Sequence, residues 1–269
     1  MSEIEQIIDE CGEVRRLGSL MPPAGFVSAF NTFESEKPLW DDNDIRKVLS
    51  KNLPTCRDIF GPEWVHDQKS HGSCNGYAGA GALQAARWMR GIRDKLKLSG
   101  AYLYSKINGG ADNGSALEDG LRAVQQYGIA PADLVTWDMI YPREQPKTAN
   151  EEAAKHKGFK CYAVQTKQGF RTAVAAGFPV IVAVHAGANF QRPNSAGIVK
   201  ADNGRGNHAV FVLGAKIING TECYDLQNSW NTRFGTDGRV YATWDSFEQT
   251  FGNHTVYAVA STDDAGVDR

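Results

Sequence analysis

Residues 65–83 read VHDQKSHGSCNGYAGAGAL, and the reading of Cys74 within them decides the fold. His71 stands three residues before it, Gln68 six before it, and small residues follow. Three readings compete. Free cysteine is among the most buried residue types, so Cys74 could be core. With His71 it has H-x-x-C spacing, but a zinc site needs three or four protein ligands and no second Cys/His pair stands at ligand spacing, so no metal is expected. As a nucleophile it would sit at the amino end of a helix, where the peptide dipole favours thiolate over thiol.

The segment from Ser73 to about Ile92 supports that helix through the spacing of Tyr77, Ala78, Leu83, Ala86, Trp88 and Met89. Gly76, Gly79 and Gly81 weaken it by about 1 kcal/mol each against alanine, which implies close packing around a buried, central helix. Further out, DDNDIRKVLSKNL with Asp41 or Asp42 as cap, GSALEDGLRAVQQYG stopped by Gly128, and TKQGFRTAVAAG ending at Gly177 read as helices. Beyond Gly177, FPVIVAVHAG, HAVFVLGAKI, ECYDLQNSW, GRVYATW and TVYAVAS are β-branched or aromatic runs separated by Gly and Asn, the pattern of an antiparallel sheet or barrel. The polar stretch YPREQPKTANEEAAKHKG is the expected crossing between a helical and a β-rich half.

At the amino end, Ser2 followed by Glu5 gives a capping-box pattern. Ile4, Ile7, Ile8, Cys11 and Val14 then fall at helical spacing, which predicts a short amphipathic helix over residues 2–17. LMPPAGFVSAFNTFESEKPLW follows as an extended, proline-containing arm.

The composition is that of an ordinary globular chain. The 269 residues are 42% hydrophobic and 22% charged, with 29 Lys+Arg against 31 Asp+Glu and a formal charge of -2. No basic block points to nucleic acid or a membrane surface, and no apolar run reaches the roughly 20 residues of a membrane span. NGGADNG lacks the lysine of a phosphate-binding loop. The first residues are acidic, without the apolar stretch of a secretory signal. The five cysteines are odd in number and scattered, so a cytoplasmic or other reducing compartment is expected.

A nucleophilic thiol needs an imidazole, a group to orient that imidazole, and donors for the oxyanion. Candidates occur in one order: Gln68 and Cys74, then His208 in GNHAVFVLG, then Asn228 in NSWNTRFGTDGRVY. From Cys74 to His208 is 134 residues and to Asn228 is 154, near the roughly 130 to 150 that separate these groups in papain and the cathepsins. VHDQKSHGSCNGYAGAGAL resembles the nucleophile segment of the papain-like cysteine peptidases, PVIVAVHAGANFQ with GNHAVFVLGAK their histidine segment, and LQNSWNTRFGTDGRVY their asparagine segment. LEDGLRAVQQYGI is similar to the helix after their substrate-binding loop, and the likeness covers about residues 53 to 260.

The resemblance implies an α+β, papain-like two-lobed fold. Residues 1–52 would be an N-terminal extension, 53–145 a helical lobe with the nucleophile, and 146–269 a β-barrel-like lobe with the histidine and asparagine. It makes Cys74 the nucleophile, His208 its acid/base partner, and Asn228 the residue that orients the imidazole. Gln68, with the Cys74 backbone N–H, would form the oxyanion hole, and Trp230 would shield the Asn228–His208 hydrogen bond. Gly114 and Ser115 would present backbone groups to an extended peptide, and Leu117, Ala183 and Ala209 would line the pocket for the side chain two residues before the scissile bond. His185 matches a non-catalytic position, while His66, His156 and His254 lie in polar contexts and read as surface.

Two departures stand out. Asn75 replaces the usual tryptophan after the nucleophile, and His71 stands where a disulfide cysteine is usual. The implied activity is a thiol endopeptidase that hydrolyses peptide or protein substrates through a Cys74 acyl-enzyme with a depressed thiol pKa and without a cofactor. The alternatives are a structural or virion-associated protein on the same fold, of viral origin, and an amidase acting on cell-wall or isopeptide bonds. Residues 1–50 would serve as a prosegment, a packing arm, or an attachment surface for an assembly partner.

Overall fold

The amino-terminal helix expected over residues 2–17 does not form. In the computed structural model, which describes residues 4–51, 53–94, 96–157, 160–200, 202, 204–251 and 256–260, strand β1 (Glu5–Ile8) turns back on β2 (Val14–Leu17) as an antiparallel hairpin. The Asp9 carboxylate makes the turn by accepting from the backbone N–H groups of Cys11 and Glu13, and Gly12 adopts φ +79. Arg15 then settles the register. Its side chain is fully buried against Asp9, Glu13 and Asp67, a placement that a helical stripe of isoleucines would not achieve. Ile8 and Val14, counted toward the apolar face of that helix, are 68% and 45% exposed on the hairpin. Ser2 lies outside the described residues.

After the hairpin, β3 (Ser19–Leu20) pairs parallel with β4 (Ser115–Ala116). Helices α1 (Phe33–Glu36), α2 (Asp42–Leu49) and α3 (Cys56–Ile59) lead to α4 (Cys74–Met89), α5 (Gly100–Ser105), α6 (Leu117–Tyr127) and α7 (Lys147–Ala153). Asp41 caps α2 by accepting from the Asp44 N–H, and Gly128 ends α6 at φ +77. The expected crossing between lobes is itself partly helical, since it contains a 3-10 turn, Pro142–Glu144, and α7.

The remaining chain builds a seven-stranded sheet from β5 (Lys160–Ala163), β6 (Val180–Val184), β7 (Ile198–Val199), β8 (His208–Ile218), β9 (Thr221–Gln227), β10 (Arg239–Ala242) and β11 (Val256–Ala260). Helices α8 (Lys167–Ala175) and α9 (Asp245–Glu248) pack beside it. The order is β5-β11-β6-β8-β9-β10-β7, antiparallel apart from the β10–β7 pair. One apolar core lies between α4, α5, α6 and one face of this sheet, and a second lies on the other face with Phe170, Phe190, Trp230 and Phe247.

The glycines of α4 let it approach its neighbours. A Cβ at Gly76 would overlap the Gly100 carbonyl, one at Gly79 would meet Leu103, and one at Gly81 would overlap the Phe211 ring on β8. This is the close packing that the sequence predicts, and it sets the amino end of α4 against the start of β8. The fold is α+β and two-lobed, with Cys74 on the helical side and His208 on the sheet side.

Candidate functional site

Cys74 is the first residue of α4 and is fully buried. The backbone N–H groups of Ala209 and Gly18, with those of Asn75 and Cys74 itself, lie near its thiol and favour the thiolate. The Ala209 contact brings the opening of β8 to the thiol, and His208 is the residue just before it. His208 Nε2 lies 2.7 Å from Asn228 Oδ1, while Nδ1 is buried with no hydrogen-bond partner among the described residues, which leaves it free for the sulfur. The Trp230 ring stacks over the imidazole with centroids 4.7 Å apart, and Phe190 closes a second side at 6.1 Å. An apolar shield of this kind keeps water from competing for the His208–Asn228 hydrogen bond.

Gln68 is fixed from both ends. Its backbone N–H donates to Ser229 O at 2.8 Å, and its side-chain Oε1 accepts from Ser229 Oγ at 2.7 Å. That orientation turns Nε2, the donor end, toward the segment before Cys74, where it donates to His71 O at 2.8 Å. Ser229 escaped the sequence reading, although it sits beside Asn228 in the quoted NSW; a hydroxyl that locks one amide orientation leaves no signal beyond that adjacency.

The second acceptor on Gln68 Nε2 is the carbonyl of Arg16, at 3.1 Å. Residues 16–20 therefore cross the site. Arg16 offers a carbonyl oxygen to the glutamine donor, Gly18 offers its N–H to the thiol, and the Gly18 carbonyl accepts from Ser115 N at 2.9 Å. Ser19 N donates to Asn207 O at 3.0 Å on the opposite wall. Gly18 is required at this crossing, since a Cβ there would overlap the Gly72 carbonyl oxygen.

Burial under this cover sets the protonation states. Desolvation pushes the Cys74 thiol up to about 11, against the smaller opposing effect of the backbone N–H groups of Ala209 and Gly18. Desolvation pushes His208 down to about 4, although its hydrogen bond to Asn228 works the other way. The depressed thiol pKa expected from the helix dipole is thus absent in the covered site. The pair is neutral thiol and neutral imidazole at pH 7, because neither charge is solvated.

Gly114 lies at φ +76 and donates its N–H to Tyr104 Oη at 2.9 Å. Its neighbour Ser115 is taken up by β3. Leu117, Ala183 and Ala209 are buried in one apolar cluster that also contains Cys74. His185 sits just past β6, half-buried, with Nδ1 2.8 Å from Arg205 O and no contact to Asn228. His66 differs from the surface reading: it is buried against Tyr77, and desolvation pushes its pKa down to about 3. His156 is half-buried, and His254 lies outside the described residues. All five cysteines are free thiols. Among the described residues no group of His, Cys, Asp or Glu is arranged to hold a metal ion, and no helix is long and apolar enough to cross a membrane.

The family profile for papain family cysteine proteases matches residues 60–259. Cathepsin K of Mus musculus is 28% identical over 223 residues, covering 72% of this chain and 67% of that protein. Among solved structures, xylellain, a cysteine protease from Xylella fastidiosa, superposes with a TM-score of 0.68 at 18% identity over 97% of this chain and 100% of that one. The digestive procathepsin L2 proteinase of Tenebrio molitor gives 0.66 at 21% identity, over 92% and 78%. At these identities the two structures speak for the fold.

Proposed function

Since the chain belongs to the papain family of cysteine proteases and is a cysteine peptidase, we propose that it is an endopeptidase that works through a Cys74 acyl-enzyme, held latent by its own residues 16–20. The observation that carries the reading is the set of contacts around Cys74 and His208: Asn228 on Nε2, Nδ1 unpartnered, Trp230 above, and the Gln68 amide occupied by a peptide carbonyl.

Once the cover leaves, water and substrate solvate the site and the thiol can pass its proton to His208 Nδ1. The thiolate then attacks the scissile carbonyl carbon. The negative oxygen that results takes the place of the Arg16 carbonyl on Gln68 Nε2, with the Cys74 N–H as second donor. His208 returns the proton to the departing amine, and water hydrolyses the thioester with His208 as base. Asn228 keeps the imidazole in the tautomer and orientation that both steps need. An extended peptide would lie along the Gly114–Ser115 edge, where β3 now pairs with Ser115 and Ala116. Several structural relatives are named as precursor forms, procathepsin L2 and stem bromelain precursor among them, which supports reading residues 16–20 as an inhibitory cover. Five free thiols fit a reducing compartment.

The test is hydrolysis of internally quenched peptides, protein, ubiquitin-like conjugates and cell-wall peptides by the full chain and by Cys74→Ala, together with labelling by an active-site-directed epoxide. Cleavage within peptides, lost in Cys74→Ala and with label on Cys74, supports the proposal. Cleavage confined to isopeptide or cell-wall bonds would replace it with the amidase reading.

A further inference from the structure

The loop from Asp112 to Ala116 is tied to the chain on both sides of Cys74 by one buried and one half-buried polar side chain, and neither belongs to the triad or to the oxyanion donors. On the carboxy-terminal side, Asn75 is 1% exposed and donates through Nδ2 to Ser115 Oγ at 3.0 Å and to Ala116 O at 2.5 Å. On the amino-terminal side, Asp112 Oδ1 accepts from Gly72 N at 2.9 Å, and Oδ2 lies 3.3 Å from His71 Nδ1. Tyr104 Oη completes the set: it donates to Asp112 Oδ1 at 2.8 Å and accepts from Gly114 N. Residues 71, 72 and 75 bracket the nucleophile, and residues 112, 115 and 116 bracket the edge on which β3 lies. The two positions involved, Asn75 and His71, are the two at which the sequence departs from the family pattern.

We propose that Asn75 and Asp112 are positioning residues that set the substrate-binding edge Gly114–Ser115 at a fixed distance from Cys74, by hydrogen bonds to both flanks of the nucleophile. The proposal rests on the endopeptidase reading. Each bond is directional and each partner is buried or half-buried, so the edge cannot slide without leaving the Ala116 carbonyl or the Gly72 N–H unpaired. A peptide bound along that edge would then reach the thiol in register. Asp112 Oδ2 also accepts from Arg16 of the cover at 2.8 Å, so the comparison is made with the cover displaced; there neither side chain touches the sulfur, and loss of either should alter peptide binding and leave thiol reactivity unchanged.

The experiment uses the full chain carrying Gly18→Val, in which the cover is strained by overlap with the Gly72 carbonyl, and an internally quenched peptide with leucine two residues before the cleaved bond. Into this parent go Asn75→Asp, which keeps shape and removes both N–H donors, Asn75→Ala, Asp112→Ala, and Asp112→Asn, which keeps an oxygen for Gly72. KM is expected to rise about tenfold in the first three, the size of one lost buried hydrogen bond, with kcat within about threefold. Asp112→Asn should recover part of the loss. Iodoacetamide alkylation of Cys74 should stay within about twofold of the parent. Unchanged KM overturns the proposal. So does an equal fall in kcat and alkylation, which would place these residues in nucleophile activation. A reduced number of epoxide-titrated sites with parental KM in the remainder would mark them as merely structural. If the parent itself cleaves no peptide, the endopeptidase reading fails and this inference falls with it.

Discussion

Cys74 and His208 hold opposite perturbations, a thiol pushed up to about 11 and an imidazole pushed down to about 4, and both come first from desolvation. It follows that iodoacetamide at pH 6 should modify Cys74 slowly in the full chain and quickly in Gly18→Val, ahead of Cys11, Cys56, Cys161 and Cys223. Fast labelling of the unsubstituted chain would show that the cover does not rest on the thiol in solution. In the uncovered protein, His208→Ala should abolish turnover while His185→Ala retains most of it, since only His208 carries the Asn228 hydrogen bond. Gln68→Ala removes one oxyanion donor and should lower kcat by about 10²- to 10³-fold. At this scale the sequence was informative about identity and silent about state. Gln68, Cys74, His208, Asn228 and Trp230 could be picked out because those residue types in that order resemble the segments of the papain-like peptidases. The raised thiol pKa could not, because it comes from burial of the thiol in the folded protein, partly under a segment some fifty residues away in sequence.

The hairpin and β3 form the element that the sequence misrepresented. Ile4, Ile7, Ile8 and Val14 fit a helical period, but over so few residues the period of a helix and the alternation of a strand are hard to separate. The deciding groups were polar: the Asp9–Gly12 turn and the buried Arg15. Arg15 and Arg16 hold this element to the body through Asp67 and Asp112, at 2.7 and 2.8 Å. At Asp67, burial raises the pKa but hydrogen bonds from Lys69 and Arg15 outweigh it. At Asp112, burial is likewise outweighed by His71, Tyr104 and the charge of Arg16. Both end below the ordinary 3.8. A carboxylate whose pKa is depressed by its partner stabilises the docked state fully above its free value and loses that contribution as pH falls through the depressed one. Hydrogen exchange at residues 14–20 should therefore show constant protection from neutral pH down to about 5, and a decline only below 3.8. Arg15→Met should weaken the docking strongly, since removing one member of a buried pair costs about 3–5 kcal/mol. A rise in peptidase activity of the full chain, with an unchanged melting temperature for the body, is the expected readout.

For the whole molecule, strands β6, β8, β9, β10 and β11 and helices α2, α4, α6 and α8 followed from apolar runs and glycine stops, whereas the short β5 and β7 did not. The parallel β3–β4 pair left no such trace: it spans two residues on each side and joins positions nearly a hundred apart in sequence. Gly18→Val tests this link directly. The added side chain would overlap the Gly72 carbonyl, so activity should rise by about tenfold for each 1.4 kcal/mol of strain placed on the covered state. No change in rate or in Cys74 labelling would mean that residues 16–20 do not control access.

Between the cover and α1 the chain passes through an exposed turn at Pro23–Phe26, closed by a Phe26 N to Pro23 O hydrogen bond, and on to Val27, which is 80% exposed. That turn is a tether. While it is intact, the cover faces the cleft at an effective concentration on the order of millimolar, so a segment with an intrinsic dissociation constant of about 10 µM is seated about 99% of the time. Once the tether is cut, the same segment is diluted to the concentration of the enzyme itself, and at about 0.1 µM it is bound about 1% of the time. Scission there would convert an equilibrium into a ratchet, with inhibition lost through dilution and not through any change in the contacts that hold the segment.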